Sequence, residues 1–207
     1  MASRLAQYGP AARARMTPRF ERAGLAYPPA QVTLVALKDV ARVELWAAGA
    51  GGALRHVRDY DVRAASGGGG PKLREGDQQV PEGVYRIDWL NPRSAYHLSL
   101  HIDYPNARDL ERAGLDGREG SGVSLGGDIM IHGDEVSIGC LAMGDTAAEE
   151  LFVLAADTGV GPGDASRVRV ILAPTDLRVR SVAPKAGDPA WLAELYAEIA
   201  AAMPRQR

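Results

Sequence analysis

The chain has 207 residues, 46% of them hydrophobic, and a formal net charge of -2. That length suits one domain with a well-formed core, and the charge excludes a general nucleic-acid binder, which needs a strongly basic face. With 24 glycines, 13 prolines and only two phenylalanines, the composition fits a protein of many short strands and turns.

In chain order, residues 1–30 read as a helical lead-in. Thr17 and Pro18 mark a helix start, and Gly24 marks its stop. The alternating, β-branched runs at 31–38 and 42–49 predict strands, and 54–65 predicts one more strand or two. Residues 66–83, with four consecutive glycines and two prolines, read as loop, with Glu82 and Gly83 forming the turn into the next strand. Strands resume at 84–90 and 95–103. A long polar connection at 104–127 has room for some helix. Residues 128–133 read as an apolar strand ending at His132 and Gly133. Asp145 is positioned as the N-cap of a helix over 146–159, with Glu149 and Glu150 near the positive end of its dipole. A strand at 167–174 follows, and Asp188 with Pro189 opens a last helix.

No stretch reaches the roughly 20 apolar residues of a membrane span. The N-terminal residues lack the apolar core of a signal peptide. The chain is therefore expected to be soluble, and either cytoplasmic or a mature form whose export signal has been removed. No internal repeat and no linker divides it into two cores.

The single cysteine, Cys140, cannot form an internal disulfide, so it does not identify an oxidising compartment. Its setting suggests chemistry. Thiolate is the reactive form of cysteine, and it needs a nearby base or positive field at neutral pH. His132 ends a strand eight residues upstream, close enough for the chain to fold back and bring imidazole to thiol. Gly133 and Gly139 let the backbone turn tightly, and N–H groups beside Cys140 and Gly139 could form an oxyanion hole. Ser137 could orient the histidine or a substrate amide. On this reading Cys140 alkylates at neutral pH faster than a model thiol. The plainer reading is a small buried hydrophobe. A zinc set of His97, His101, His132 and Cys140 is a further alternative, with His97 and His101 on one face of a strand; its spacing matches no strong zinc pattern.

These residues carry a resemblance. The segment IHG (131–133) followed by SIGC (137–140) resembles the YkuD-type L,D-transpeptidase family, and within it the YafK-like subgroup. The matching positions are His132, Gly133, Ser137, Gly139, Cys140, Ala142, Met143 and Asp145. Upstream, GPKLREGDQQVPEGVYRI (70–87) and NPRSAYHLSLHIDYPNARD (91–109) also resemble the subgroup. Coverage runs from about residue 31 to 174. Two positions depart from many YkuD domains: Ile138 stands where a second histidine is common, and Ala142 where an arginine is common.

The resemblance implies a mostly β fold with flanking helices, a YkuD-like mixed β-sandwich catalytic domain over 31–174. The lead-in (1–30) and a C-terminal helical extension (175–207) would pack on it. It implies acyl transfer on peptidoglycan stem peptides. Cys140 is the nucleophile and His132 the base and later acid. A thioester forms, D-alanine leaves, and an amine acceptor gives a cross-link. Lys72, Arg93 or His97, with Tyr96 beside them, could grip a substrate carboxylate; Arg74 reads as a solvated loop residue. No cofactor and no metal is expected. The alternatives are a hydrolase using the same dyad, which trims stems or releases a peptidoglycan-linked lipoprotein, and an inert peptidoglycan-binding module. Each places the working protein in the periplasm or cell envelope, with peptidoglycan as partner.

Overall fold

A computed structural model of the chain describes residues 1–118, 121–160 and 167–205. Two residues of the long polar connection, 119–120, and the last two of the C-terminal extension, 206–207, lie outside the described residues. The apolar runs become strands: β1 (Gln31–Leu37), β2 (Arg42–Ala48), β3 (Arg55–Asp61), β4 (Gly83–Asn91), β5 (Ser99–Ile102), β6 (Met130–His132), β7 (Leu141–Ala142) and β8 (Val168–Ala173). They form one mixed sheet in the order β3-β2-β1-β8-β4-β5-β6-β7. The β1–β8 and β6–β7 pairs are parallel and the other pairs are antiparallel. Four α-helices among the described residues flank the sheet: α1 (Ala2–Arg22), α2 (Ala107–Leu115), α3 (Asp145–Thr158) and α4 (Leu192–Ala202). The mostly β, helix-flanked class expected from the sequence is the class observed.

The sheet curls because β4 serves two neighbours. Its first residues pair with β8 and its later ones with β5, with an irregularity between Ile87 and Trp89. A bulge bends a strand and increases its twist. The curl brings the two ends of the sheet together. Beyond β3, Arg63 N–H donates to the Ala142 carbonyl at 2.8 Å and Ala142 N–H to the Ala64 carbonyl at 3.0 Å. The edge of β7 is thus covered rather than left to pair with another chain.

Alternation along β1 splits the core. Val32, Leu34 and Ala36 face a cluster with Met16 and Phe20 of α1 and Leu151 and Phe152 of α3. Val35 and Leu37 face the opposite way, onto Leu192, Leu195 and Ile199 of α4. This half of the sheet is therefore buried on both faces, which explains its near-continuous apolar strands.

Several boundaries differ from the sequence reading. The first helix begins at Ala2, so Thr17 and Pro18 lie inside it, as does Pro10. Ala12, Met16 and Phe20, four residues apart, line its buried face, and packing outweighs the local cost of the prolines. Its end is as read: Gly24 has φ +68°, with Leu25 N–H donating to the Phe20 carbonyl and Gly24 N–H to the Glu21 carbonyl. Asp145 is the first residue of α3 rather than its cap, which is Gly144. The last helix starts at Leu192, and Asp188 instead accepts from the Lys185 N–H. The predicted strand at 95–103 shrinks to β5, because His97 has φ +68° and sits in a turn. Glu82 is more than a turn residue. It is buried, and it accepts from Lys38 Nζ at 3.0 Å, from Gly70 N–H at 2.9 Å and from the Tyr196 hydroxyl at 2.9 Å. It ties the glycine-rich loop to the sheet and to α4.

Candidate active site

At the β5–β6–β7 end the sheet has one covered face. Leu100, Ile102, Ile131 and Leu141 point into the core. Alternation sends Ser99, Met130 and His132 to the other side. The parallel register Ile131↔Leu141 places Cys140 beside Met130, one lateral row from His132 and on its face. A cavity of about 630 Å³ opens above these residues. Its walls are Lys72, Glu75 and Gln78 from the loop before β4, the turn at Ser94–Tyr96, and Gly126–Ile129. At the rim the loop before β4 meets the connection before β6, where Glu75 N–H donates to the Ser124 carbonyl at 2.7 Å.

His132 is 2% exposed. Its Nδ1 lies 2.6 Å from the Gly133 carbonyl. A carbonyl only accepts, so Nδ1 carries the proton and Nε2 holds the free lone pair. Burial pushes the imidazole below its ordinary value, against the opposing pull of the Gly133 carbonyl and Asp134. The ring is therefore neutral near pH 7, a base ready to accept. The Tyr96 ring leans over it, with centroids 4.8 Å apart and an interplanar angle of 34°.

Cys140 is half-buried, and burial pushes its thiol up. The Met130 N–H and the Lys72 charge pull it down, and Asp128 adds to the rise. Sγ accepts from Met130 N–H at 3.4 Å and faces the Asp128 carbonyl at 3.7 Å. The thiol is thus held against β6, not hydrogen-bonded to the imidazole. The resting site is a neutral pair, and it does not supply the lowered thiol that fast alkylation requires.

Ser137 braces Cys140. Its Oγ accepts from Cys140 N–H at 3.0 Å and donates to the Cys140 carbonyl at 2.6 Å. The Cys140 N–H, one of the expected oxyanion donors, is therefore already engaged, and among the described residues Ser137 makes no hydrogen bond to the histidine. Among the described residues the Gly139 N–H has no hydrogen-bond partner. Gly139 has φ +122°, which a side chain would resist. Gly133 is needed for another reason, since its φ is not in the left-handed region. A Cβ there would lie 2.6 Å from Asp145 Oδ1, 2.8 Å from His97 Cβ and 3.0 Å from the Tyr96 carbonyl.

The proposed grip residues separate. Tyr96 and Lys72 line the cavity. Lys72 Nζ donates to Asp77 at 2.6 Å and to the Arg74 carbonyl at 2.9 Å, which leaves one of its three protons uncommitted. Arg93 is exposed on the turn after β4 and does not line the cavity. His97 turns away. Its Nε2 lies 3.2 Å from Glu149 of α3, and its ring packs edge-on to Tyr8 of α1 at 4.8 Å. His101 pairs with Asp88 at 2.6 Å and stacks on Trp89. The zinc set is therefore not brought together, and among the described residues no three metal-ligating side chains gather. The sequence reading missed Ser99, which lines the cavity floor across from His132. Its importance lies in the pairing of two strands 33 residues apart, which leaves no local signal.

The fold is a curled mixed sheet with flanking helices that carries a histidine and a cysteine on its open face. Residues 34–171 match the family YkuD, L,D-transpeptidase catalytic domain, and the chain belongs to that family. It is 41% identical over 95 residues to "Putative L,D-transpeptidase YafK" of Escherichia coli K12, an alignment covering 45% of this chain and 35% of that protein. The chain thus spans about a third of that relative's length. Its fold is similar to that of the helical cell shape determining protein Pgp2 from Campylobacter jejuni. The TM-score is 0.54 at 20% identity, over 81% of this chain and 53% of Pgp2.

Proposed function

We propose that this protein performs acyl transfer on peptidoglycan stem peptides through a thioester on Cys140, with His132 as general base and then general acid. The observation that carries the reading is the Nδ1–H bond to the Gly133 carbonyl. It leaves Nε2 as a lone-pair acceptor on the same sheet face, and in the same cavity, as the thiol. Rotation of the Cys140 side chain away from Asp128 delivers its proton to Nε2 as Sγ attacks the carbonyl of the diamino acid. The unengaged Gly139 N–H is the candidate donor to the oxyanion. Collapse of the tetrahedral intermediate expels D-alanine, whose amine takes the proton from His132. The cavity volume lies within the range of peptide-sized ligand sites. Glu75 and Asp128 at its rim suit the ammonium on a diamino acid side chain.

An amine then gives a cross-link and water gives a trimmed stem; a cavity this open admits either. Both outcomes place the working protein in the cell envelope. Among the described residues no helix is long and apolar enough to cross a membrane.

The test is mass spectrometry of tetrapeptide muropeptides after incubation with the protein or with Cys140→Ala. Dimers joined between two diamino acids, or tripeptides without dimers, decide between transfer and hydrolysis, and neither should form with the variant. No product from tetrapeptides directs the same assay to lipoprotein-linked muropeptides. No product there sinks the proposal and leaves the inert binding module.

A further inference from the structure

One polar group on the cavity floor has no role in forming the thioester. Ser99 is 1% exposed and lines the cavity, yet its Oγ has no hydrogen-bond partner. Buried hydroxyls are almost always satisfied, because losing water without gaining a partner costs stability. The other unpartnered buried atoms among the described residues are the Nε atoms of Arg19 and Arg42, outside the cavity. An orphan hydroxyl facing a ligand-sized space is satisfied when something enters that space.

The register says what enters. Ser99 pairs directly with His132 across the antiparallel β5–β6 ladder. Side chains so paired share a face, with Cβ atoms about 5 Å apart. The strand order puts His132 between Ser99 on β5 and Cys140, which leads into β7. The base therefore has the thiol on one side and the orphan hydroxyl on the other. An acyl group on Sγ occupies the β7 side, so Ser99 is left facing whatever approaches the thioester from the β5 side.

Resting on the thioester reading above, we propose that Ser99 is an acceptor-binding residue, holding the incoming primary amine or water between its Oγ and His132 Nε2. The acceptor's lone pair forms the new bond to the thioester carbonyl carbon. One of its protons passes to Nε2, and another donates a hydrogen bond to Ser99 Oγ, which fixes the direction of the lone pair. When the C–S bond breaks, its electron pair stays on Sγ, and the imidazolium returns the proton there. Ser99 acts on the second half-reaction and is idle in the first.

The experiment loads Cys140 with an acetyl group from p-nitrophenyl acetate. Decay of the acetyl-protein is followed by intact mass, in buffer and with glycinamide as the amine. Wild type, Ser99→Ala and His132→Ala are compared. Ser99→Ala should acetylate at the wild-type rate but lose the acetyl group about tenfold more slowly, with a weaker response to glycinamide. Its melting temperature should be no lower than wild type, since the variant removes an unsatisfied group. Decay at the wild-type rate, equal slowing of acetylation and decay, or a lowered melting temperature would each overturn the proposal. If His132→Ala decays as fast as wild type, the thioester reading falls and this proposal with it. If only His132→Ala is slow, the thioester reading stands and the role of Ser99 does not.

Discussion

The β2–β1–β8 part of the sheet is covered on both faces, by α1 and α3 on one side and α4 on the other, whereas the β5–β6–β7 part is covered on one. In the first half every residue of β1 after Gln31 is buried. In the second, Met130 and His101 stay partly open, and the buried polar groups Ser99 and His132 face a cavity. The same strand geometry yields a core in one place and a cavity floor in the other. What differs is whether a helix lies over the second face. On the proposed function, stability and chemistry fall to different halves.

That separation can be broken most directly at the proposed nucleophile. Cys140→Ala should abolish product, and His132→Ala should lower the rate by about 10²–10⁴-fold. Both should unfold in urea close to wild type. A large loss of stability in Cys140→Ala would mean that the open half also holds the fold together. The converse test is Leu34→Ala, which deletes a 1% exposed side chain between β1 and the helices and should cost about 2–5 kcal/mol. Met130→Ala, on the open face, should cost much less. Urea midpoints for the pair measure the contrast, and equal losses would erase it.

A smaller effect concerns the cover on His132. Burial holds the imidazole low, so the neutral base persists below the usual histidine range, and the acid limb of the rate profile should fall there. Tyr96→Ala admits water to the ring, so its pKa should rise and the limb should move to higher pH. Tyr96→Phe should leave it in place. A limb that does not move in Tyr96→Ala would remove Tyr96 from the account. The smallest effect is on the resting thiol. Because burial raises Cys140, alkylation by iodoacetamide at pH 7.5 should be several-fold slower than that of free cysteine and should climb with pH. Faster alkylation would mean that thiol and imidazole already form an ion pair.

The two halves were also unequally legible in the sequence. β1, β2 and β8 stand out because strands covered on both faces are rich in apolar and β-branched residues, with few polar interruptions such as Glu44 and Arg169. The start of α1 was obscured, since Thr17 and Pro18 imitate a helix entry while the Ala12–Met16–Phe20 face that decides the matter depends on α3. His97 reads as strand because the alternation around it continues, yet its φ of +68° takes it into a turn. Cys140 and His132 were visible through motif and spacing. The Ser137 brace was not, because its residue type and spacing leave open whether it serves Cys140, the histidine or a substrate, and the surroundings of Ser99 and Glu82 were not, because their neighbours come close only through the fold.

The N-terminal helix bears on His132 from a distance. Arg13 and Arg15 fasten α1 to Asp157, Glu149 and Glu150 of α3, and Tyr8 packs on His97. His97 follows Tyr96, whose ring roofs His132 and whose carbonyl accepts from the Gly133 N–H at 3.1 Å. A gene fragment cut at residue 31 would encode every strand of the sheet together with Cys140 and His132. It would nevertheless express a site whose roof had lost its outer buttress. The smallest portable unit of this site therefore includes a helix that never touches it.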